Sequence, residues 1–256
     1  MTFDFSSSDT HAHVFGPESD VITDLIAQLN NVTEHIHRKI KKHGLENRVN
    51  VIHLSDHGMD SLELRNVINL TKIIGNDEVK FYGSTPVLQI VPENMSKTDE
   101  IYNKLKAEAK LTGNFRVYTE STLQERWHFR NKVRTGPITV VADLGFGFQD
   151  MFQLAEWYRK YYNVTPTPTT KYGVHGYDNT YESMHPVFFA YGPRIKTQHV
   201  VEPFETVDLI YLFCEILGLE VPSYVKGNRE HILDVLKDSE IQKLSRWFVI
   251  SKFKKN

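Results

Sequence analysis

A chain of 256 residues with a formal net charge of −2 has no basic surplus to draw it to a nucleic-acid polymer or an anionic membrane surface. Its 40% hydrophobic and 24% charged residues are ordinary for one globular α/β domain with a full core, and no apolar run approaches the roughly 20 residues that a membrane helix needs. The single Cys214 excludes an internal disulfide framework, and the opening residues MTFDFSSSD lack the basic start and apolar stretch of a signal peptide. Asn-x-Ser/Thr sequons at Asn31, Asn69, Asn94 and Asn163 point instead toward the secretory pathway, so composition leaves the compartment open.

Along the chain, Val21, Leu25, Leu29, Val32, Ile36 and Ile40 recur at helical spacing and predict a helix over 20–42, stopped by Gly44 after a basic last turn. The charged neighbours of His35, His37 and His43 place these three on its solvated face. Residues 49–54 read as a buried strand that runs straight into Ser55-Asp56-His57-Gly58. Further strands are expected at 79–82, 87–91, 115–119, 138–142 and 187–191, with helices at 98–110, 151–158 and 207–217. Pro166 and Pro168 among threonines mark an irregular loop, Gly145 to Phe148 a turn, and the lysine-rich end a solvated terminus. Cys214, inside an apolar helix, reads as a buried inert thiol.

Three clusters carry chemistry: Asp9-Thr10-His11-Ala12-His13, Ser55-Asp56-His57-Gly58-Met59 and Gly173-Val174-His175-Gly176-Tyr177-Asp178-Asn179. Carboxylates and imidazoles are the ligands of divalent metals that act on phosphoesters, and the glycines let the backbone turn so that neighbouring side chains converge. Asp9 and His13 are four residues apart, on one side of a helical turn or tight loop. Taken singly, each cluster has a plainer reading: a polar terminus, a turn with Asp60 or Ser61 capping a following helix, and a glycine-bracketed loop. Their conjunction makes the case for a metal-dependent hydrolase. No Gly-x-Ser-x-Gly elbow and no Walker loop offers another chemistry.

On these residues the chain resembles the ectonucleotide pyrophosphatase/phosphodiesterase family, a branch of the alkaline-phosphatase-like superfamily, in its short, catalytic-domain-only type. Asp9 to Pro17 resembles the family's first metal segment, Asn50 to Met59 its strand and second metal motif, and Gly173 to Asn179 with Met184, Phe188 and Gly192-Pro193 its last one; Arg126 to Phe129 and Val140 to Phe146 fit between. The match runs from about 9 to 219, within a single domain whose residues 220–256 form a C-terminal extension. The resemblance implies an α/β fold with a mainly parallel sheet flanked by helices, incomplete at its N-terminal side. It implies Zn2+ as cofactor, two ions in the family: one held by Asp9, His13 and His175, the other partly by Asp56 and His57. It also implies a nucleotide or phosphodiester substrate and an extracellular or cell-surface location; Tyr177 and Tyr172, beside His175, read either as stacking on a base or as core or rim packing.

Departures from the pattern temper the activity. The family's threonine nucleophile and a further zinc-binding aspartate lie upstream of the segment that Asp9 opens; Ser6-Ser7-Ser8 replaces an acidic-proline run, and Ala12 a glycine. One zinc site is therefore expected complete, no catalytic nucleophile is assigned, and the chain is expected to be N-terminally truncated and impaired or inactive as a phosphodiester or pyrophosphate hydrolase. A metal-binding pseudoenzyme or secreted interaction module, and an incomplete gene product, are the alternatives.

Overall fold

The computed structural model describes residues 2–75 and 77–237, so the lysine-rich end lies outside the described residues. In chain order the elements are α1 (Ser7–Phe15), α2 (Asp20–Lys42), β1 (Val51–Leu54), β2 (Asp60–Glu63), β3 (Val67–Ile68), α3 (Leu70–Ile74), β4 (Val79–Ser84), β5 (Val87–Pro92), α4 (Thr98–Thr112), β6 (Phe115–Thr119), β7 (Ile138–Ala142), β8 (Gly147–Phe148), α5 (Asp150–Tyr162), β9 (Lys171–Val174), β10 (Phe188–Tyr191), α6 (Leu209–Leu217) and α7 (Arg229–Leu233). Among the described residues they belong to two compact units, one within 2–32 and 57–186, the other within 33–56 and 187–237.

The first unit is built on a four-stranded sheet in the order β4-β5-β7-β6. β7, Ile-Thr-Val-Val-Ala, is β-branched almost throughout and buried at every position, as a central strand covered on both faces requires. β5 alternates, with Leu88 and Ile90 inward. α4 crosses from β5 to β6 and buries Ile101 and Leu105 against the sheet. That crossover leaves β5 and β6 parallel, one strand apart, and β7 fills the gap antiparallel to both. Here the pairing departs from the expected mainly parallel sheet: among the described strands only β3 and β8 pair parallel. The reason is local. β4 and β5 are joined by the two residues Thr85 and Pro86, a link that only an antiparallel hairpin allows.

Two smaller pairings of this unit position the polar clusters. β2 runs antiparallel to β9, with Asp60 opposite Val174 and Ser61 opposite Gly173. β2 begins just after His57 and β9 ends just before His175, so this register brings both histidines to one end of the pair. The reading of Asp60 and Ser61 as helix caps gives way to a strand, whose Leu62 is fully buried. α1 packs along β9 at Gly173, where a side chain would run into the Ala12 carbonyl oxygen and the Met59 sulfur. Gly58 is just as confined, because a Cβ there would overlap the Ser183 carbonyl.

The second unit holds β1 and β10 in antiparallel register, Val51 opposite Tyr191 and Leu54 opposite Phe188. Ile52, Phe188 and Ala190 face a core of Ile195, Leu209, Leu212, Ile232, Val235 and Leu236. Cys214 is buried on α6, as its apolar surroundings suggest.

Gly173→Ala drives a methyl group into the Ala12 carbonyl oxygen and the Met59 sulfur and is expected to cost about 1–3 kcal/mol, the range of overpacked cores. Thermal unfolding of the variant beside the parent chain checks it; an unchanged melting temperature would mean that α1 does not depend on this close approach.

Candidate metal centre

α1 is one of the short elements that periodicity does not announce, and it carries the first two polar groups. Asp9 and His13 lie on one helical face, with His13 Nε2 3.6 Å from Asp9 Oδ1. From the loop before β2, His57 brings its Nε2 to 3.9 Å from the same oxygen. From the end of β9, His175 brings its own Nε2 to 3.9 Å. Asp9, His13 and His175 offer ligand atoms that all lie within 4.8 Å of one another. The His57 and His175 rings stack at 3.5 Å and 13°, while the His13 ring lies 5.0 Å from that of His175.

The far side of two of these rings is fixed. His13 Nδ1 lies 2.8 Å from the Gly173 carbonyl oxygen, and His57 Nδ1 lies 2.8 Å from the Gly58 carbonyl oxygen. A carbonyl can only accept, so both Nδ1 atoms donate, which leaves Nε2 as the nitrogen that each ring turns toward Asp9. This is the arrangement of metal-ligating histidines, whose other nitrogen is usually tied to a carbonyl or carboxylate.

Asp9 closes the arrangement. Its carboxylate is 41% exposed as a side chain, yet Oδ1 is buried and accepts no hydrogen bond among the described residues. The gaps of 3.6–3.9 Å are too long for hydrogen bonds and close to the ligand–ligand edge, about 3.3–3.4 Å, of a tetrahedral ion with bonds near 2.0–2.1 Å. One carboxylate with imidazoles is a donor set of borderline hardness, suited to zinc and neighbouring first-row ions. The residues fit a metal.

Asp56, the remaining sequence-derived ligand candidate, is exposed just beyond β1 in the second unit. Tyr177 stands elsewhere than expected: it is buried, burial pushes its hydroxyl pKa upward, and the hydroxyl donates to the Phe146 carbonyl at 2.7 Å. Packing, rather than stacking on a substrate, accounts for it, and Tyr172 is likewise a fully buried core residue. Arg126, which the sequence places only in a stretch between the metal motifs, donates to Asp178 and to Asn179 at the end of the third motif. The signal was present in the acidic end of that motif, but the partner is 52 residues away in sequence.

The architecture so described is that of a mixed α/β protein in which three separated motifs bring together a carboxylate and imidazoles that could hold a metal ion. The profile described as type I phosphodiesterase / nucleotide pyrophosphatase matches residues 1–178, and the chain belongs to that family. It is 30% identical over 236 residues to ectonucleotide pyrophosphatase/phosphodiesterase family member 5 of Homo sapiens, covering 90% of this chain and 44% of the relative. It is 29% identical over 238 residues to bis(5'-adenosyl)-triphosphatase ENPP4 of Homo sapiens, covering 93% and 48%. The solved murine ectonucleotide pyrophosphatase/phosphodiesterase 5, an inactive form in complex with AMP, superposes with a TM-score of 0.74 at 29% identity, over 90% of this chain and 57% of that one. The chain thus spans about half the length of the curated relatives it matches. The alkaline-phosphatase-like fold expected from the motifs is the fold of these neighbours.

Partial burial works against ionisation of Asp178, but the Arg126 guanidinium and the Thr180 N–H and hydroxyl outweigh it and hold the carboxyl at about 2, below its ordinary 3.8. A depressed carboxyl stabilises the fold above its unfolded value and loses that contribution as the pH falls through its folded one. Asp178→Asn should therefore cost on the order of 1–2 kcal/mol at pH 7, and the difference from the parent should vanish between about pH 4 and pH 2. Denaturant melts across that range check it; a difference that persists unchanged at pH 2 would contradict it.

Proposed function

We propose that this chain carries the metal-binding part of a zinc-dependent phosphodiester or pyrophosphate hydrolase centre of the nucleotide pyrophosphatase/phosphodiesterase type. The observation that supports it most is Asp9 Oδ1, buried without a hydrogen bond and faced by the Nε2 atoms of His13, His57 and His175. Asp9, His13 and His175 would hold one ion, with His57 stacked on His175 at its edge. When bound, such an ion supplies Lewis-acid polarisation of a phosphoryl oxygen and neutralises charge that develops there.

The chain's own residues do the rest. The Gly173 and Gly58 carbonyls engage Nδ1 of His13 and His57, which leaves Nε2 of each ring as the nitrogen placed to bind an ion. Arg126 ties down the loop beyond His175 through Asp178 and Asn179, which limits the positions that His175 can take. Substrate of nucleotide chemistry is supported by kinship alone, through a relative described as a bis(5'-adenosyl)-triphosphatase and a neighbour solved with AMP. A location on the secretory or cell-surface side follows the ectonucleotide relatives. The sequon at Asn94 lies exposed, its side-chain oxygen accepting from the Ser96 N–H and hydroxyl.

As an isolated polypeptide of 256 residues, the chain is proposed to bind metal but turn substrate over slowly or not at all. The threonine beside the centre supports this: the Thr10 hydroxyl is engaged with Ser6 O within its own helix, at 3.3 Å, rather than offered as a nucleophile. Two measurements separate the parts of the reading. Zinc titration calorimetry should show binding that Asp9→Asn weakens by at least about tenfold; equal affinity in the variant sinks the metal assignment. Release of p-nitrophenol from a p-nitrophenyl phosphodiester by the zinc-loaded chain should stay near background; zinc-dependent turnover abolished by Asp9→Asn would keep the centre and overturn the inactivity.

A further inference from the structure

The charge pattern around α2 puts His37 on a solvated face with His35 and His43; in the structure it turns inward instead. Strand alternation explains what it meets. Ile52, Phe188 and Ala190 point into the core of the second unit, so His53, Phe189 and Tyr191 stand on the opposite face of the β1–β10 pair. His37, on the part of α2 that belongs to this unit, packs edge-on against Tyr191 with ring centroids 4.5 Å apart. His53 stacks on Phe189 at 4.5 Å and 18°. The two imidazoles then converge, with His37 Nε2 3.2 Å from His53 Nε2.

We propose that His37 and His53 form a second divalent-metal site, separate from the Asp9 cluster: a two-imidazole clip for Zn2+ or another imidazole-preferring first-row cation, fastening α2 to β1. The nitrogen–nitrogen separation is close to the edge of a tetrahedral site with bonds near 2.0–2.1 Å, about 3.3–3.4 Å, so both rings bind an ion with little movement. The aromatic contacts hold both rings in place and lower the entropy lost on binding. The Tyr191 hydroxyl, on the residue packed against His37, is buried without a hydrogen-bond partner among the described residues, a polar atom that the protein's own groups leave unsatisfied. Burial, then the nearness of His37, lowers the His53 pKa, so that ring is neutral and available as a ligand at pH 7. β1 continues through Ser55 to Asp56, so the clip braces the strand that leads to that residue. A hydrogen bond between two neutral rings is the alternative use of the same pair, and the experiment separates the two.

The test uses the full chain carrying Asp9→Asn and His175→Gln, so that binding at the Asp9 cluster is removed and failure of that assignment cannot be mistaken for failure of this one. Zn2+ titration calorimetry on this background should still show one bound equivalent, and adding His37→Gln or His53→Gln should weaken it by at least about tenfold. The two substitutions lie on different elements, and circular dichroism verifies that each variant is folded. Cu2+ added to the unsubstituted pair should give an electron paramagnetic resonance spectrum with couplings from two imidazole nitrogens, a reading that needs no further variant. Absence of a bound equivalent on that background, equal Zn2+ affinity with and without the histidines, or Cu2+ couplings to fewer than two nitrogens would overturn the site.

Discussion

A carboxylate oxygen that is sealed from water and given nothing to accept costs several kcal/mol unless an opposite charge sits beside it. Asp9 Oδ1 is in that position, and it is ringed by imidazole nitrogens too distant to donate to it. The Gly173 and Gly58 carbonyls engage the Nδ1 atoms of His13 and His57, so the Nε2 atoms are the ones that face the carboxylate. A carboxylate and imidazole nitrogens converging on one small volume form a donor set for a cation. The rest of the first unit can be understood as what brings these groups together.

The bringing together is done by short elements with little apolar area of their own. The β2–β9 register aligns His57 with His175, and α1 can carry Asp9 and His13 to them only because residue 173 has no side chain in the way. The buried β7 and the α4 crossover beside it give this assembly a rigid base. The second unit has its own core around α6 and places Asp56 at the end of β1. Kinship to the type I phosphodiesterases rests on the match over residues 1–178, a span that contains all three residues of the donor set.

Much of this was legible in the sequence where physics is local. The stripe from Val21 to Ile40 marks α2, found at Asp20–Lys42, and the β-branched run at 138–142 marks the central strand β7. Asp9 and His13 were legible as a pair because a spacing of four residues is a property of one helical turn. What escaped was decided by tertiary packing. α1 is short and serine-rich, β2 is polar enough to pass for a helix cap, and the antiparallel place of β7 depends on a strand more than 40 residues earlier. His37 was misplaced for the same reason: its charged neighbours on α2 suggest solvent, while the face of β1 and β10 that covers it is set by alternation in two strands far apart in sequence. Tyr177 stood beside a ligand in sequence, but its side chain belongs to the core.

The most direct test of the central claim is X-ray diffraction from crystals of the zinc-soaked chain, recorded above and below the zinc absorption edge. An anomalous peak within about 2.0–2.2 Å of Asp9 Oδ1 and of the Nε2 atoms of His13 and His175 is the predicted result. Well-ordered side chains at these three residues with no anomalous density between them would contradict it.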